Sequence, residues 1–165
     1  NAIVAVMSFS GYDIEDALII NKSSLDRGFG RCIVMKKGTT LLRKYANGSY
    51  DRVVAAGPDP VTGQINPRHE LLEADGIAAP GERMLSGQIY VNKQMPAMSL
   101  EAGNPATASF KNAPLAFKGA LPSYVDQVLL TGSDDQLLIK TAIRQTRRPE
   151  LGDKFSSRHG QKGVV

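Results

Sequence analysis

The chain has 165 residues and a net charge of +4, from 20 basic and 16 acidic side chains, with a single cysteine. That length holds one domain with a sizeable core or pieces of more than one. The lone Cys32 excludes an intrachain disulfide and a cysteine zinc site and fits a reducing compartment, and no apolar run approaches the roughly 20 residues of a membrane span, so no membrane partner is expected.

Residues 2 to 7 form a short β-branched run bounded by Ser8, Ser10 and Gly11, which predicts a buried strand and then a tight turn. Asp13-Ile14-Glu15-Asp16 leads into Ala17-Leu18-Ile19-Ile20, and acidic residues ahead of an apolar run suit a helix N-terminus. A second short helix is expected to start at Asn21 or Ser23 and to stop at Gly28. Cys32-Ile33-Val34-Met35 reads as strand, with Cys32 a small core residue. Turn signals then recur at Asn47-Gly48, Gly57-Pro58-Asp59-Pro60, Asn66-Pro67, Asp75-Gly76 and Pro80-Gly81, implying short strands. Residues 77 to 91 read as two strands, the second alternating through Gln88-Ile89-Tyr90-Val91, and the proline-bearing stretch 94 to 122 reads as a long loop or mobile insertion. Residues 123 to 130 and 136 to 145 suit paired strands. The predicted class is mostly β with short helices (α+β). An apolar run at one end and Val164-Val165 directly after a charged motif at the other make the chain read as a piece of a longer polypeptide.

The positive charge belongs to the last stretch. Residues 140 to 165 hold seven Lys/Arg against two Asp/Glu, while the rest of the chain is nearly balanced. Within it, Lys154, Arg158 and Lys162 recur every four residues among Gly152, Gly160 and Gly163, and His159 adds a group able to titrate near neutrality. Cations spaced by glycines, whose backbone can approach a ligand closely, point to phosphates or nucleic acid. The bland alternative is a solvated charged face.

Gly11-Tyr12-Asp13-Ile14-Glu15-Asp16 is the second informative segment. Three carboxylates in four positions repel one another unless solvated, separated or neutralised, and Mg²⁺, often held by one or two carboxylates with substrate phosphates completing its shell, would neutralise them. A plain helix cap is the competing account. The two segments together have the charges that an NTP and its metal require, because nucleotidyl transfer depends mainly on positioning and charge stabilisation. A Walker loop is excluded: no Gly-x-x-x-x-Gly-Lys-[Ser/Thr] occurs. Tyr12 is expected to pack under its turn, and His69, between Arg68 and Glu70, to be structural.

Gly11-Tyr12-Asp13-Ile14-Glu15-Asp16-Ala17, Asn21-Lys22-Ser23-Ser24-Leu25-Asp26-Arg27-Gly28 and Gly152-Asp153-Lys154-Phe155-Ser156-Ser157-Arg158-His159-Gly160-Gln161-Lys162-Gly163 together resemble the second-largest subunit of multisubunit DNA-dependent RNA polymerases. Gly28-Phe29-Gly30-Arg31-Cys32 and Arg144-Gln145-Thr146-Arg147-Arg148-Pro149-Glu150 are most similar to the eukaryotic RNA polymerase III version; the middle agrees through Arg68-His69-Glu70, Asp75-Gly76-Ile77 and Pro80-Gly81-Glu82. The resemblance implies a hybrid-binding region at residues 1–31 and 149–165, carrying part of a double-psi β-barrel, interrupted by a β-rich wall (flap) at 32–148. It further implies that Asp16 and Glu15 lie near the second Mg²⁺, which arrives with the NTP, with Asp16 the closer. Lys154 and Lys162 would face NTP phosphates and the RNA 3′ end. Arg158 and His159 would contact phosphate or buttress the loop, and Arg147 and Arg148 would meet nucleic-acid backbone or another subunit. The first Mg²⁺ would sit on the largest subunit, and the family's zinc site would lie outside these residues. Implied partners are the largest and other polymerase subunits, template DNA and the RNA–DNA hybrid, in the nucleus. The alternative function is a non-catalytic nucleic-acid-binding or scaffold module.

Overall fold

The computed structural model describes the chain except for Asp13, Pro60, residues 98 to 108, Asp134 and Asp135. Its elements are α1 (Lys22–Asp26), strands β1 (Cys32–Arg43) and β2 (Arg52–Val53), a 3-10 turn at Pro67–His69, then β3 (Arg83–Met84), β4 (Ile89–Val91), β5 (Lys93–Pro96), β6 (Phe110–Asn112), β7 (Leu115–Ala116), β8 (Ser123–Ser133), β9 (Gln136–Arg147), β10 (Lys154–Ser156) and β11 (Lys162–Val164). The chain is mostly β, as its turn spacing predicts. It divides into two units, one made of Asn1–Ile33 with Thr146–Val165 and the other of Val34–Gln145.

The second unit carries a hydrophobic core around Met84, Val91, Val125, Ile139 and Ile143. Its main sheet has the order β1-β9-β8-β3, beside a three-stranded sheet β2-β5-β6 and the pair β4-β7. The expected pairing of residues 123–130 with 136–145 is the β8-β9 hairpin. Val125 and Val128, three apart, cannot share a face of a regular strand. A register shift between Val125 and Gln127 resolves this, because Val125 pairs with Ile143 and Val128 with Thr141, two residues apart on one face. The displaced Asp126 accepts a hydrogen bond from Arg144, 3.0 Å away, whose guanidinium also lies over the Tyr124 ring.

Several turns form where Gly and Asx residues predict them. At Asp75-Gly76 the Ile77 amide donates to Asp75 Oδ1 (2.9 Å), and Gly76 takes φ +80°. A Cβ there would collide with the Val54 carbonyl oxygen. Gly76→Ala is therefore expected to cost more than the roughly 1 kcal/mol of an unfavourable φ alone. Faster hydrogen exchange of the Asn92 amide, which donates to Gly76 O at 2.9 Å, is the readout.

Other expectations fail wholly or in part. Two strands do form within residues 77 to 91, β3 and β4, but residues 77 and 78 make only single bridges, and Ile89–Val91 is buried throughout instead of alternating, because β4 lies in the core. The stretch 94–122 is not one loop: β5 begins at Lys93, and β6 and β7 return to pair with β5 and β4; residues 98 to 108 lie outside those described. Cys32 is exposed, since β1 contributes buried side chains only from Thr40 and Leu42.

In the first unit, residues 2–7 form no strand. Ile3, Val4, Val6 and Met7 are exposed, and among the described residues no strand pairs with this run, so it has no ladder to join. The helix expected from Asp13, which itself lies outside the described residues, does not form over residues 14 to 20. Glu15 has φ +59°, outside the helical region, and the backbones of Asp16 and Leu18 bond to Val164. Tyr12 is exposed rather than packed. The second helix does form, with Asn21 as its cap: Asn21 Oδ1 accepts from the Ser24 amide at 3.0 Å. It ends in a Schellman turn, Phe29 N donating to Ser24 O and Gly28 N to Leu25 O, with Gly28 at φ +109°.

Candidate functional site

The terminal motif folds as a hairpin in which Lys154 pairs with Val164, Phe155 with Gly163 and Ser156 with Lys162. Strand alternation puts Phe155 and Gly163 on one face, and Lys154, Ser156 and Lys162 on the other. The first face is the anchored one: the Phe155 ring stacks on Phe29, centroids 6.4 Å apart, and Gly30 packs against Pro149 and Phe155 so closely that a Cβ would fall 2.7 Å from Pro149 Cγ. On the other face both lysines are exposed. They are diagonal neighbours, a relation that places backbones about 7–8 Å apart. Their charges repel, and neither forms an ion pair with a described residue.

The hairpin loop is built by Ser157. Its Oγ accepts from the amides of His159 and Gln161, each at 3.3 Å, and its own amide donates to Gln161 O at 2.8 Å. Gly160 completes the turn at φ +88°. Arg158 and His159 project from this loop, exposed and without side-chain hydrogen bonds to described residues. Arg147 and Arg148 are exposed at the end of β9 and just beyond it, ahead of the buried Pro149.

The acidic segment arrives at the same hairpin. Ala17 bridges Val164 in parallel: the Val164 amide donates to Asp16 O (3.1 Å) and the Leu18 amide to Val164 O (2.9 Å). Asp16 is thereby held to a strand that begins with Lys162, though the two lie at opposite ends of the sequence. Glu15 and Asp16 are exposed, and neither carboxylate is engaged in an ion pair or hydrogen bond with a described residue. Asp13 lies outside the described residues.

The charge types fit an NTP and its metal only in part. No group of three metal-ligating side chains occurs among the described residues, so a divalent ion here would draw the rest of its shell from elsewhere. Two uncommitted carboxylates on the segment bridged to β11, and two uncommitted lysines on the hairpin, are the charge types that an ion shared with a polyphosphate would use. Nothing in the sequence signals Ala17, whose bridge ties the two segments together, and Gly163 lies within β11 with φ outside the left-handed region.

The whole of residues 1–165 matches the family model described as RNA polymerase Rpb2, domain 6. The chain belongs to that family. It is 55% identical to the DNA-directed RNA polymerase III subunit RPC2 of Schizosaccharomyces pombe and 52% identical to that of Saccharomyces cerevisiae, in each case over 99% of this chain and 15% of the relative. With the DNA-directed RNA polymerase II subunit 2 of Arabidopsis thaliana the identity is 37%, over 100% of this chain and 14% of the relative. The chain thus spans about 15% of the length of the curated relatives it matches.

Proposed function

We propose that this chain is the part of an RNA polymerase second-largest subunit, of the nuclear polymerase III class, that contributes NTP-phosphate and second-metal contacts to template-directed RNA synthesis. The class rests on identity, which is 52–55% to the two fungal polymerase III subunits against 37% to a polymerase II subunit. The observation supporting the site is the bridge that ties the Glu15-Asp16 segment to β11 next to Lys162. The unit of Asn1–Ile33 and Thr146–Val165 is read as hybrid-binding, with β10 and β11 part of a double-psi barrel, and Val34–Gln145 as the wall.

On this reading Asp16, with Glu15 beside it, would hold the Mg²⁺ that accompanies the NTP. When bound, that ion neutralises charge on the phosphates and on the pyrophosphate leaving group. Lys154 and Lys162 supply fixed positive charge toward the phosphates and the RNA 3′ end, while Phe29 and Phe155 keep the opposite face anchored so that the lysines need not reorganise. Arg158 and His159 contact phosphate or buttress the loop, and Arg147 and Arg148 meet nucleic-acid backbone or a neighbouring subunit. A first Mg²⁺ held by the largest subunit would serve the attacking 3′-hydroxyl, so the partners on this reading are that subunit, the other polymerase subunits, template DNA and the RNA–DNA hybrid. The zinc site is assigned to residues beyond this chain.

Asp16→Asn in the assembled polymerase should raise the Mg²⁺ concentration needed for half-maximal nucleotide addition by about 10- to 100-fold, the range seen when a metal's supporting groups are removed. Nucleotide addition unchanged in this variant, with only salt-dependent nucleic-acid binding attributable to the basic segment, would favour the non-catalytic module instead.

A further inference from the structure

We propose that Gly163 is a positioning residue, which acts by letting the Asp16 backbone lie directly against β11 and so fixes the carboxylate segment relative to Lys162. This deepens, and rests on, the reading of Asp16 and Lys162 given above. Gly163 is buried, pairs with Phe155, and has no positive φ, so conformational freedom does not explain a glycine here. Space does: a Cβ on Gly163 would stand 2.5 Å from Asp16 O and 2.9 Å from Leu18 Cγ. Both are closer than real Cβ contacts, and the nearer atom is backbone, which cannot rotate away.

The carbonyl that the Cβ would strike is the one accepting the Val164 amide. Any side chain at 163 therefore pushes on the bond that registers the acidic segment. On its other side Asp16 follows Glu15, whose φ of +59° is costly for a residue with a Cβ. Asp16 is thus held between a left-handed turn and a close backbone approach. Lys162 precedes Gly163 directly, so a displacement of Asp16 from β11 changes the spacing between carboxylate and lysine rather than moving the two together.

The test uses full-length subunit in assembled polymerase, adding one nucleotide to a preformed RNA–DNA scaffold, with rates counted per scaffold-bound complex. Gly163→Ala is expected to lower the addition rate and raise half-saturating Mg²⁺ and NTP by about 10- to 100-fold, the scale of a misplacement near 1 Å at a reacting site. Leu18→Ala, which removes a side chain lying over Gly163 but keeps both backbone bonds to Val164, should shift the same quantities by less. A purely structural role would reduce the number of bound complexes and leave rate and half-saturation per complex unchanged; that result overturns the proposal. Should Gly163→Ala fail to assemble, the Gly163→Ala/Leu18→Ala double variant, which relieves the side-chain contact and leaves the one with Asp16 O, is measured in its place, and unchanged values per complex overturn the proposal. Asp16→Asn is measured alongside: if it shifts Mg²⁺ dependence while Gly163→Ala does not, the positioning role fails alone, and if neither shifts, the site reading fails with it.

Discussion

Lys162→Ala in the assembled polymerase is expected to slow single-nucleotide addition by about 10²-fold, the cost of removing one preorganised group that stabilises developing charge. The expectation follows from the hairpin. Lys162 starts β11, shares an exposed face with Lys154, and has no carboxylate partner among the described residues, so its charge is not spent inside the chain. Lys154→Ala should act in the same direction, and the double variant should lose less than the product of the two, because neighbouring cations serving one anion are coupled. Lys162→Arg should recover only part of the rate, since a planar guanidinium does not place charge where an ammonium does. Single-turnover addition across an NTP titration at fixed salt is the measurement. Unchanged rate and unchanged half-saturating NTP in both alanine variants would remove these lysines from the site.

The second large effect lies in the other unit. Asp51 is buried and accepts hydrogen bonds from the Arg43 amide (3.1 Å), the Tyr45 hydroxyl (3.0 Å) and Lys93 Nζ (2.8 Å), while Lys93 also donates to Leu41 O (2.7 Å). This one carboxylate ties β1, the following turn and β5 together. Asp51→Ala would leave the largely buried Lys93 ammonium without its anion, and breaking a buried pair from one side costs about 3–5 kcal/mol. Hydrogen exchange of the Arg43 and Tyr45 amides in the assembled subunit should accelerate accordingly, whereas unchanged exchange would mean the pair contributes little.

The same network has a pH signature. Burial alone would raise the Asp51 pKa, but the bonds from Lys93, Arg43 and Tyr45 together outweigh it and hold the carboxyl below its ordinary 3.8. A carboxylate with a depressed folded-state pKa contributes stability that is fully present above the unfolded value and is lost as pH falls through the folded one. Protection of these amides should therefore hold from neutrality down to about pH 4 and fall only below it. The Asp51 bond has the opposite effect on Tyr45, raising the pKa of its hydroxyl, because a donor beside a carboxylate gives up its proton less readily.

Much of this was legible because it is local. Recurrent Gly and Pro marked the turns and hence the β class, Asn21 and Gly28 bounded α1, and the alternating residues after 122 marked the β8-β9 hairpin. The residue types of the site were also legible, since carboxylates among backbone-exposing glycines and cations without anions advertise themselves. What pattern could not supply was partnership. A β-branched run reads the same with or without a neighbouring strand, so residues 2–7 were expected to be buried although nothing in the described chain pairs with them. Asp13 to Ile20 carried a sound helix-start signal, yet two bonds from Val164, at the far end of the chain, decided the conformation. For the same reason Asp51 and Lys93 gave no sign of being a pair. Gly163 looks in sequence like the other glycines of its motif, yet Gly152 and Gly160 are exposed with positive φ, whereas Gly163 is buried without one and has backbone packed beyond its α-carbon.

On the proposed reading, the Ala17–Val164 bridge ties the carboxylate segment to the hairpin that carries Lys154 and Lys162, and these groups hold an NTP with its metal. The most direct test is a structure of the assembled polymerase with a non-hydrolysable NTP and Mn²⁺, the ions located by their anomalous scattering. The expected result is an ion on the NTP phosphates with the Asp16 carboxylate bound directly or through one water, and Lys154 or Lys162 hydrogen-bonded to a phosphate oxygen. An NTP-borne ion whose shell includes neither Glu15 nor Asp16, with both lysines turned away from the phosphates, would contradict it.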